Sequence, residues 1–189
     1  MILIQAIAAL TGLISVYLVT RQNIWCWPTG LISVSLAAIV FYDSFLYSDM
    51  ILHVYYFGMN IYGWIHWSGK RSEEIILPVS RMSWLHNVKW IVISAVGTVI
   101  WGWTMSTNTN AAFPFGDAFT TVASLVGMWF MAQKRLENWI YWFVIAVVAI
   151  VIYALKGLYL FSGQYFIFLI LCVVGYRDWR KSMMEAEVA

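Results

Sequence analysis

An asparagine and two tryptophans lie together where an apolar run begins at residues 138–142. Asn138 is followed directly by Trp139, and Trp142 comes one helical turn after Asn138. Tryptophan faces attract cations by roughly 0.5–2 kcal/mol per contact, depending on desolvation. An amide side chain both donates and accepts hydrogen bonds. The stretch predicts either an interfacial anchor or a site that holds a flat, cationic or neutral ring.

A second polar stripe lies in the run 45–67. His53, Asn60 and Trp64 are spaced by seven and four residues, which places them on one face of a helix. Polar groups that face lipid are unfavourable, so this stripe is expected to point into a helical bundle. Asn60 has an alternative role in hydrogen bonding between helices. Other tryptophans, namely Trp67, Trp90, Trp101 and Trp179, are expected to form an interfacial aromatic belt.

Composition places these residues in a polytopic membrane protein. Hydrophobic residues make up 62% of the 189-residue chain and charged residues only 11%, whereas soluble domains are roughly a quarter charged. A span needs about 20 apolar residues. The predicted spans are 2–20, 24–41, 45–67, 87–105, 115–131, 138–155 and 158–177. Residues 2–20 lack a basic segment and a cleavage site, so they are interpreted as the first span.

Basic residues predict the orientation. If the spans alternate, ten of the eleven Lys and Arg residues fall on one side and only Lys156 on the other. The positive-inside rule then places the N-terminus outside and the C-terminus in the cytoplasm. For a bacterial chain this means a multi-pass protein of the inner membrane.

Weak internal similarity predicts a parallel 3+1+3 repeat. His53 pairs with Tyr165, and Gly63-Trp64-x-x-Trp67 with Gly175-Tyr176-x-x-Trp179, at an offset of 112. An offset of 115 pairs Asn23 with Asn138 and Trp27 with Trp142. The predicted units are a first three-helix repeat at 1–69, a linker helix at 70–106 and a second repeat at 107–189. Such parallel repeats are typical of transporters.

Missing motifs narrow the function further. The chain has no G-x-x-x-x-G-K-[ST] loop, no G-x-S-x-G and no H-E-x-x-H. No cofactor, metal site or enzymatic activity is expected, and uniport without ion coupling is favoured. An alternative of another class is a seven-helix retinal-type photoreceptor with Lys156 as the Schiff-base lysine.

Four motifs resemble the PnuC family of bacterial vitamin transporters over nearly the whole chain. They are Asn60-x-Tyr62-Gly63-Trp64-x-x-Trp67, Asp117-x-Phe119-Thr120-Thr121-x-x-Ser124, Glu137-Asn138-Trp139-x-x-Trp142, and Lys156-Gly157-Leu158-Tyr159 followed by Gly175-Tyr176-x-x-Trp179. The resemblance implies a SWEET-like seven-helix fold and a homotrimer. It also implies facilitated diffusion of an unphosphorylated vitamin, which a cytosolic kinase or pyrophosphokinase then traps.

The substrate expected from this resemblance is thiamine. The nicotinamide riboside type of the family has Gln where His53 and Met128 stand here, so two ribose-binding amides are replaced. Met128 offers a polarizable contact for a thiazolium ring. Nicotinamide riboside is the alternative, followed by riboflavin. The expected substrate-binding residues are His53, Asn60, Trp64, Met128, Asn138, Trp139, Trp142, Lys156, Tyr159 and Tyr165.

Overall fold

Seven α-helices form the fold of the described residues, which are 2–43, 47–69, 77–110, 112–157 and 159–188 of this computed structural model. In chain order the helices are α1 (Ile2–Thr20), α2 (Cys26–Asp43), α3 (Tyr47–Ser68), α4 (Trp84–Asn108), α5 (Pro114–Ala132), α6 (Asn138–Leu155) and α7 (Tyr159–Val188). The predicted all-helical class with seven helices is confirmed. The helices α4 and α7 are longer than the sequence predicted.

Five helices, namely α1, α2, α4, α5 and α6, are long and apolar enough to cross a membrane. The remaining two are α3, which contains His53, Asn60 and His66, and α7, which ends in a charged segment. That α3 and α7 also cross the membrane remains a prediction, which is supported by the alternating direction of the helices.

The ends of α1, α3, α5 and α7 meet the starts of α2, α4 and α6 at one end of the bundle. Trp67 in the last turn of α3 contacts Ala132 at the end of α5, and Trp179 in α7 contacts Val19 near the end of α1. The segment before α4 joins the same end, because Ser80 exchanges backbone hydrogen bonds with Lys134 and Leu136.

We call this the basic end of the bundle, and the opposite one the far end. The described Lys and Arg residues of the basic end are Arg21, Arg81, Lys89, Lys134, Arg135, Arg177, Arg180 and Lys181. Among the described residues only Lys156 lies at the far end. The segregation of charge that the sequence predicted is therefore present in the fold.

Two indole hydrogen bonds join the first three helices to the last three. Trp67 Nε1 donates to the carbonyl of Ala132 at 3.0 Å, and Trp179 Nε1 donates to that of Val19 at 2.9 Å. The last carbonyls of a helix have no partner within the helix. Each tryptophan therefore donates to a carbonyl at a helix end on the other side of the bundle; the Val19 carbonyl also accepts from Gln22 N at 2.9 Å. The helix pairs α1–α7 and α3–α5 also pack against each other across the two halves.

Equivalent contacts relate the two halves of the bundle by an offset of 112. Gln22 and Lys134, which are 112 residues apart, follow α1 and α5 with the same left-handed backbone, at φ 51° and φ 48°. Trp27 therefore corresponds to Trp139, and the predicted pairing with Trp142 is wrong. Asn23 is likewise mispaired: it is exposed and accepts from Trp25 N, whereas Asn138 is buried.

Glycines allow the corresponding tryptophans to lie against the helix backbone. A Cβ at Gly63 would overlap the ring of Trp27, and one at Gly175 would overlap the ring of Trp139. Trp27 meets Trp67 edge to face at 5.0 Å between ring centroids, and Trp139 meets Trp179 in the same way at 5.5 Å. Trp67 and Trp179 meet in the middle at 5.9 Å. We call these four residues the tryptophan layer.

The matched contacts support the predicted division into 1–69, 70–106 and 107–189, which stays a prediction. In this division α4 is the extra helix. It packs against α5 and against no other helix of the described part of the chain, as expected for an element that only restores the direction of the chain.

We expect Gly63→Ala to destabilise the protein, because the added methyl group has to displace the ring of Trp27. Overpacking of this kind costs about 1–3 kcal/mol. Gly58→Ala in the same helix is the matched control, since nothing lies within 4 Å of its Cβ position. Thermal unfolding in detergent measures both. Equal melting temperatures for the two variants would contradict the proposed close packing.

We expect Trp67→Phe to lower the free energy of unfolding by about 1–3 kcal/mol, because it removes the indole donor of the buried Ala132 carbonyl. Trp179→Phe should cost less, about 0.5–1.5 kcal/mol, since the Val19 carbonyl keeps its hydrogen bond from Gln22 N. Trp103→Phe, on an exposed position of α4, serves as the control. Denaturant unfolding in mixed micelles measures the difference, and a loss no larger than that of the control would refute the structural role of these bonds.

Candidate functional site

Polar atoms without partners are buried in and next to the tryptophan layer. The Nε1 atoms of Trp27, Trp139 and Trp142 and the Oδ1 atom of Asn138 lack a hydrogen-bond partner within the described part of the chain. An unpaired buried donor or acceptor costs about 1–3 kcal/mol, and such atoms call for an explanation. Trp27 and Trp139 belong to one buried cluster, Trp142 packs against it and Asn138 directly precedes Trp139, so we assign this region as the candidate binding site.

The start of α6 is held in place by the loop that precedes it. Asn138 Nδ2 donates to the carbonyl of Arg135 at 2.6 Å, which leaves Oδ1 of the same amide unpaired. Glu137 Oε1 accepts a hydrogen bond from Met82 N at 3.0 Å and thereby ties this turn to the segment before α4. The site residues of α6 are therefore attached to a fixed turn and do not depend on a loose loop.

Met128 and Asn60 are buried in or beside the same region. Met128 of α5 belongs to the buried cluster that includes Trp27 and Trp139. Asn60 Nδ2 donates to the Tyr56 carbonyl one turn earlier at 2.8 Å. The amide oxygen of Asn60 faces α2, where a Cβ on Gly30 would overlap it.

The two halves of the bundle differ at the equivalent positions of Gly30 and Trp142. In the first half Gly30 of α2 faces Ser15, at 3.1 Å from its Cβ position to Oγ, and leaves space for Asn60. In the second half the equivalent position is Trp142, whose Cε2 lies 3.3 Å from the Cβ position of Gly127. One half thus supplies an amide and the other an indole, and the site is asymmetric even though the surrounding frame is nearly symmetric.

The structure places Lys156, Tyr159 and Trp64 away from this region. Helix α6 rises about 1.5 Å per residue, so Lys156 lies about 27 Å from Asn138. Lys156 Nζ pairs there with Asp117, at 3.0 Å and 3.1 Å to the two carboxylate oxygens. Tyr159 is 74% exposed at the far end. Trp64 is 40% exposed and lines a shallow surface recess together with Ile65.

His53 and Tyr165 lie in equivalent positions towards the far end. The His53 ring lies against Phe41 near the end of α2, with 4.8 Å between ring centroids. The Tyr165 ring lies against Tyr153 near the end of α6, with 5.4 Å between ring centroids. They are separated by several helical turns from Asn138. The structure therefore groups Met128, Asn138, Trp139 and Trp142, places Asn60 against Gly30 in the first half, and leaves the other five predicted residues outside this group.

The sequence reading missed the tryptophan layer. Trp67 and Trp179 were expected in an interfacial belt, but Trp179 is 0% exposed and both indoles donate to helix ends. Trp27 was not predicted as a site residue, although it is buried and its Nε1 is unpaired. The repeated Gly-aromatic-x-x-Trp pattern was the signal available, because each glycine marks a tryptophan packed against it.

Lys134 is buried at the basic end of the bundle, next to the tryptophan layer. Its side chain is buried, and Nζ donates to Gln22 Oε1 at 3.3 Å and lies 4.6 Å from the ring centroid of Trp67. Burial lowers the pKa of this ammonium, while Cys26 acts in the opposite direction. Lys134 and Gln22 are equivalent residues of the two halves, so their contact lies where the halves meet. The predicted role as a loop charge that sets orientation therefore omits a packing role.

Known transporters are similar to this chain in sequence. A family model described as "Nicotinamide mononucleotide transporter" matches residues 2–181. The nicotinamide riboside transporter PnuC of Escherichia coli (strain K12) is 31% identical, over 96% of this chain and 87% of that protein. The riboflavin/roseoflavin transporter RibM of Streptomyces davaonensis is 27% identical, over 89% of this chain and 80% of RibM.

A solved structure agrees with the fold. The crystal structure of the vitamin B3 transporter PnuC matches with a TM-score of 0.77 at 27% identity, covering 96% of this chain and 82% of that one. The resemblance inferred from the sequence motifs is thereby confirmed. The chain belongs to the PnuC family of multi-pass membrane transporters, whose described relatives carry vitamins.

Proposed function

We propose that this protein takes up nicotinamide riboside by facilitated diffusion. Transport of a small vitamin-type molecule follows from the family. The specific substrate is supported by the relative from Escherichia coli, which is named for nicotinamide riboside. Thiamine, which the sequence favoured, is named in none of these relatives, and nicotinamide riboside takes its place as the first candidate.

The single observation behind this proposal is the group of unpaired polar atoms beside the tryptophan layer. Three indole N–H groups require acceptors, and Asn138 Oδ1 requires a donor. A nucleoside offers hydroxyl groups that do both, and a carboxamide adds a further donor and acceptor. A cationic nicotinamide ring also suits the faces of tryptophans. Thiamine has fewer oxygen acceptors for these donors.

The fold weakens both sequence arguments for thiamine, which concerned Met128 and His53. Met128 is packed in the buried cluster among hydrophobic residues, where it fills space. His53 lies towards the far end, with its ring against Phe41 and Tyr56. The replacement of two family glutamines by these residues therefore acts at separate places and does not remodel one pocket around a thiazolium ring.

Passage through the basic end requires the two halves to separate. The tryptophan layer and the contact between Lys134 and Gln22 close this end of the bundle. Opening would break the bonds of Trp67 to Ala132 and of Trp179 to Val19. Among the described residues Glu137 is the one buried carboxylate; its Oε1 accepts from Met82 N and its Oε2 has no partner there. Because this carboxylate lies in the turn before α6 and not within a helix, downhill transport without a proton or sodium site stays part of the proposal.

The proposal includes the membrane orientation, the assembly and the trapping step that the sequence predicted. The basic end faces the cytoplasm, which agrees with the segregation of the described Lys and Arg residues. The N-terminus is then outside. Family resemblance supports a homotrimer and trapping by a cytosolic kinase. The photoreceptor alternative is wrong, because the family consists of transporters and Lys156 is paired with Asp117 at a helix end.

Calorimetric titration of the purified protein with nicotinamide riboside, thiamine and riboflavin tests the substrate. We expect binding of nicotinamide riboside and a loss of about tenfold in affinity for Trp142→Phe, which removes one unpaired donor but keeps an aromatic ring. Trp103→Phe on the exposed face of α4 is the control. Tighter binding of thiamine than of nicotinamide riboside would refute the substrate, whereas unchanged affinity in Trp142→Phe would refute the site.

Uptake into proteoliposomes tests the mechanism. Labelled nicotinamide riboside should equilibrate across the membrane at the same rate with and without proton or sodium gradients. Accumulation above the external concentration under a gradient would show coupled transport and would contradict the proposal. Empty liposomes give the passive leak.

A further inference from the structure

A cavity of about 450 Å³ lies outside the candidate site, at the basic end between α4 and α5. It is lined by Arg81, Met82, Ser83, His86, Trp90, Trp129, Phe130, Gln133 and Arg135. Polar residues come from the segment before α4 and from the end of α5. The aromatic residues lie deeper in the same two helices, and Trp90 is about 9 Å along α4 from its first residue. The cavity therefore spans the boundary between the polar and apolar parts of the surface.

The polar part of the cavity has an excess of positive charge. Within the described part of the chain, no carboxylate lies within ion-pair distance of Arg81 or Arg135. Arg135 Nη1 donates to Ser80 Oγ at 2.9 Å, which fixes the guanidinium at the cavity while further N–H groups stay available. Glu137, the nearest carboxylate along the chain, takes its hydrogen bond from Met82 N. An anion in this place would meet two guanidinium groups and no opposing charge from the lining residues.

The deeper part of the cavity is apolar. Trp90 meets Phe130 edge to face at 5.5 Å between ring centroids, and Trp129 is 38% exposed beside them. Beyond Trp90, the face of α4 exposes aliphatic residues such as Ile93. A hydrocarbon chain can lie along this wall, whereas a small inorganic anion would leave it uncovered.

We propose that this cavity binds the headgroup of an anionic phospholipid. The phosphodiester would be held by Arg81 and Arg135, because planar guanidinium groups match phosphate oxygens. An acyl chain would follow Trp90 and Trp129 into the membrane. Basic pockets between helices near the membrane surface bind anionic headgroups in this way. The proposal does not depend on which vitamin the protein transports.

A lipid in this cavity would touch residues that link α5 to α3. The ring of Trp129 stacks on Tyr62 at 5.5 Å with an interplanar angle of 15°. Gln133 Nε2 donates to Tyr62 Oη at 2.6 Å. Because α3 and α5 belong to different halves of the bundle, the bound lipid is expected to stabilise the packing between the halves.

Native mass spectrometry of the delipidated, full-length protein tests the site. The probes are phosphatidylglycerol and phosphatidylcholine of equal chain length, each titrated separately. We expect preferential binding of phosphatidylglycerol, and a loss of about a hundredfold in its affinity for Arg81→Gln/Arg135→Gln, since each of the two charge-assisted contacts is worth about tenfold. The control Arg177→Gln/Arg180→Gln removes equal charge from the same end, on exposed positions of α7.

A single variant separates loss of the lipid site from loss of folding, and an inorganic phosphate control separates lipid binding from binding of free anions. Arg81→Gln alone, on an exposed side chain without an ion pair among the described residues, should weaken phosphatidylglycerol binding by about tenfold even if the double variant fails to fold. Equal affinity for phosphatidylcholine, or equal losses in the α7 control, would overturn the proposal. So would a rise in melting temperature with inorganic phosphate as large as the rise with phosphatidylglycerol, because it would indicate a site for free anions.

Discussion

The fold depends on the indole hydrogen bonds that Trp67 and Trp179 give to helix ends in the opposite half of the bundle. In an apolar environment a helix end needs partners for its last carbonyls, and water is scarce. The Ala132 carbonyl at the end of α5 therefore depends on Trp67 of the other half, whereas the Val19 carbonyl at the end of α1 accepts from Gln22 N as well as from Trp179. This exchange also explains why the packing pairs α1–α7 and α3–α5 are the ones that cross between halves.

Such an arrangement provides a frame with two similar halves, and the candidate site arises where the similarity ends. Gly30 and Trp142 occupy equivalent positions, but one makes room for Asn60 and the other fills space against Gly127. A ligand with a polar part and a flat aromatic part has no internal symmetry of its own. The Asn138 amide and the indole N–H groups of Trp27, Trp139 and Trp142 can therefore contact different parts of the ligand.

Much of this fold could be predicted from the sequence, because length and hydropathy determine helices in a membrane protein. The spans 2–20 and 138–155 agree with α1 and α6. The register of the repeat could not be determined in the same way. Asn23 and Asn138 look alike as letters, but one caps a turn and the other is buried. The buried lysine was also missed, since Lys134 is kept in place by Gln22 and a tryptophan ring that are distant in sequence.

The separation between frame and site bears on how one family transports different vitamins. Relatives named for nicotinamide riboside and for riboflavin both align with most of this chain. Trp27 and Trp139 are tied to the frame, because they meet Trp67 and Trp179 edge to face, whereas Trp142 and Asn138 lie outside the tryptophan layer and can change without disturbing it. Specificity then depends on a few side chains near Asn138, because a polar atom that loses its partner costs more than an altered apolar contact. A change of substrate requires new partners for those atoms and leaves the frame as it is.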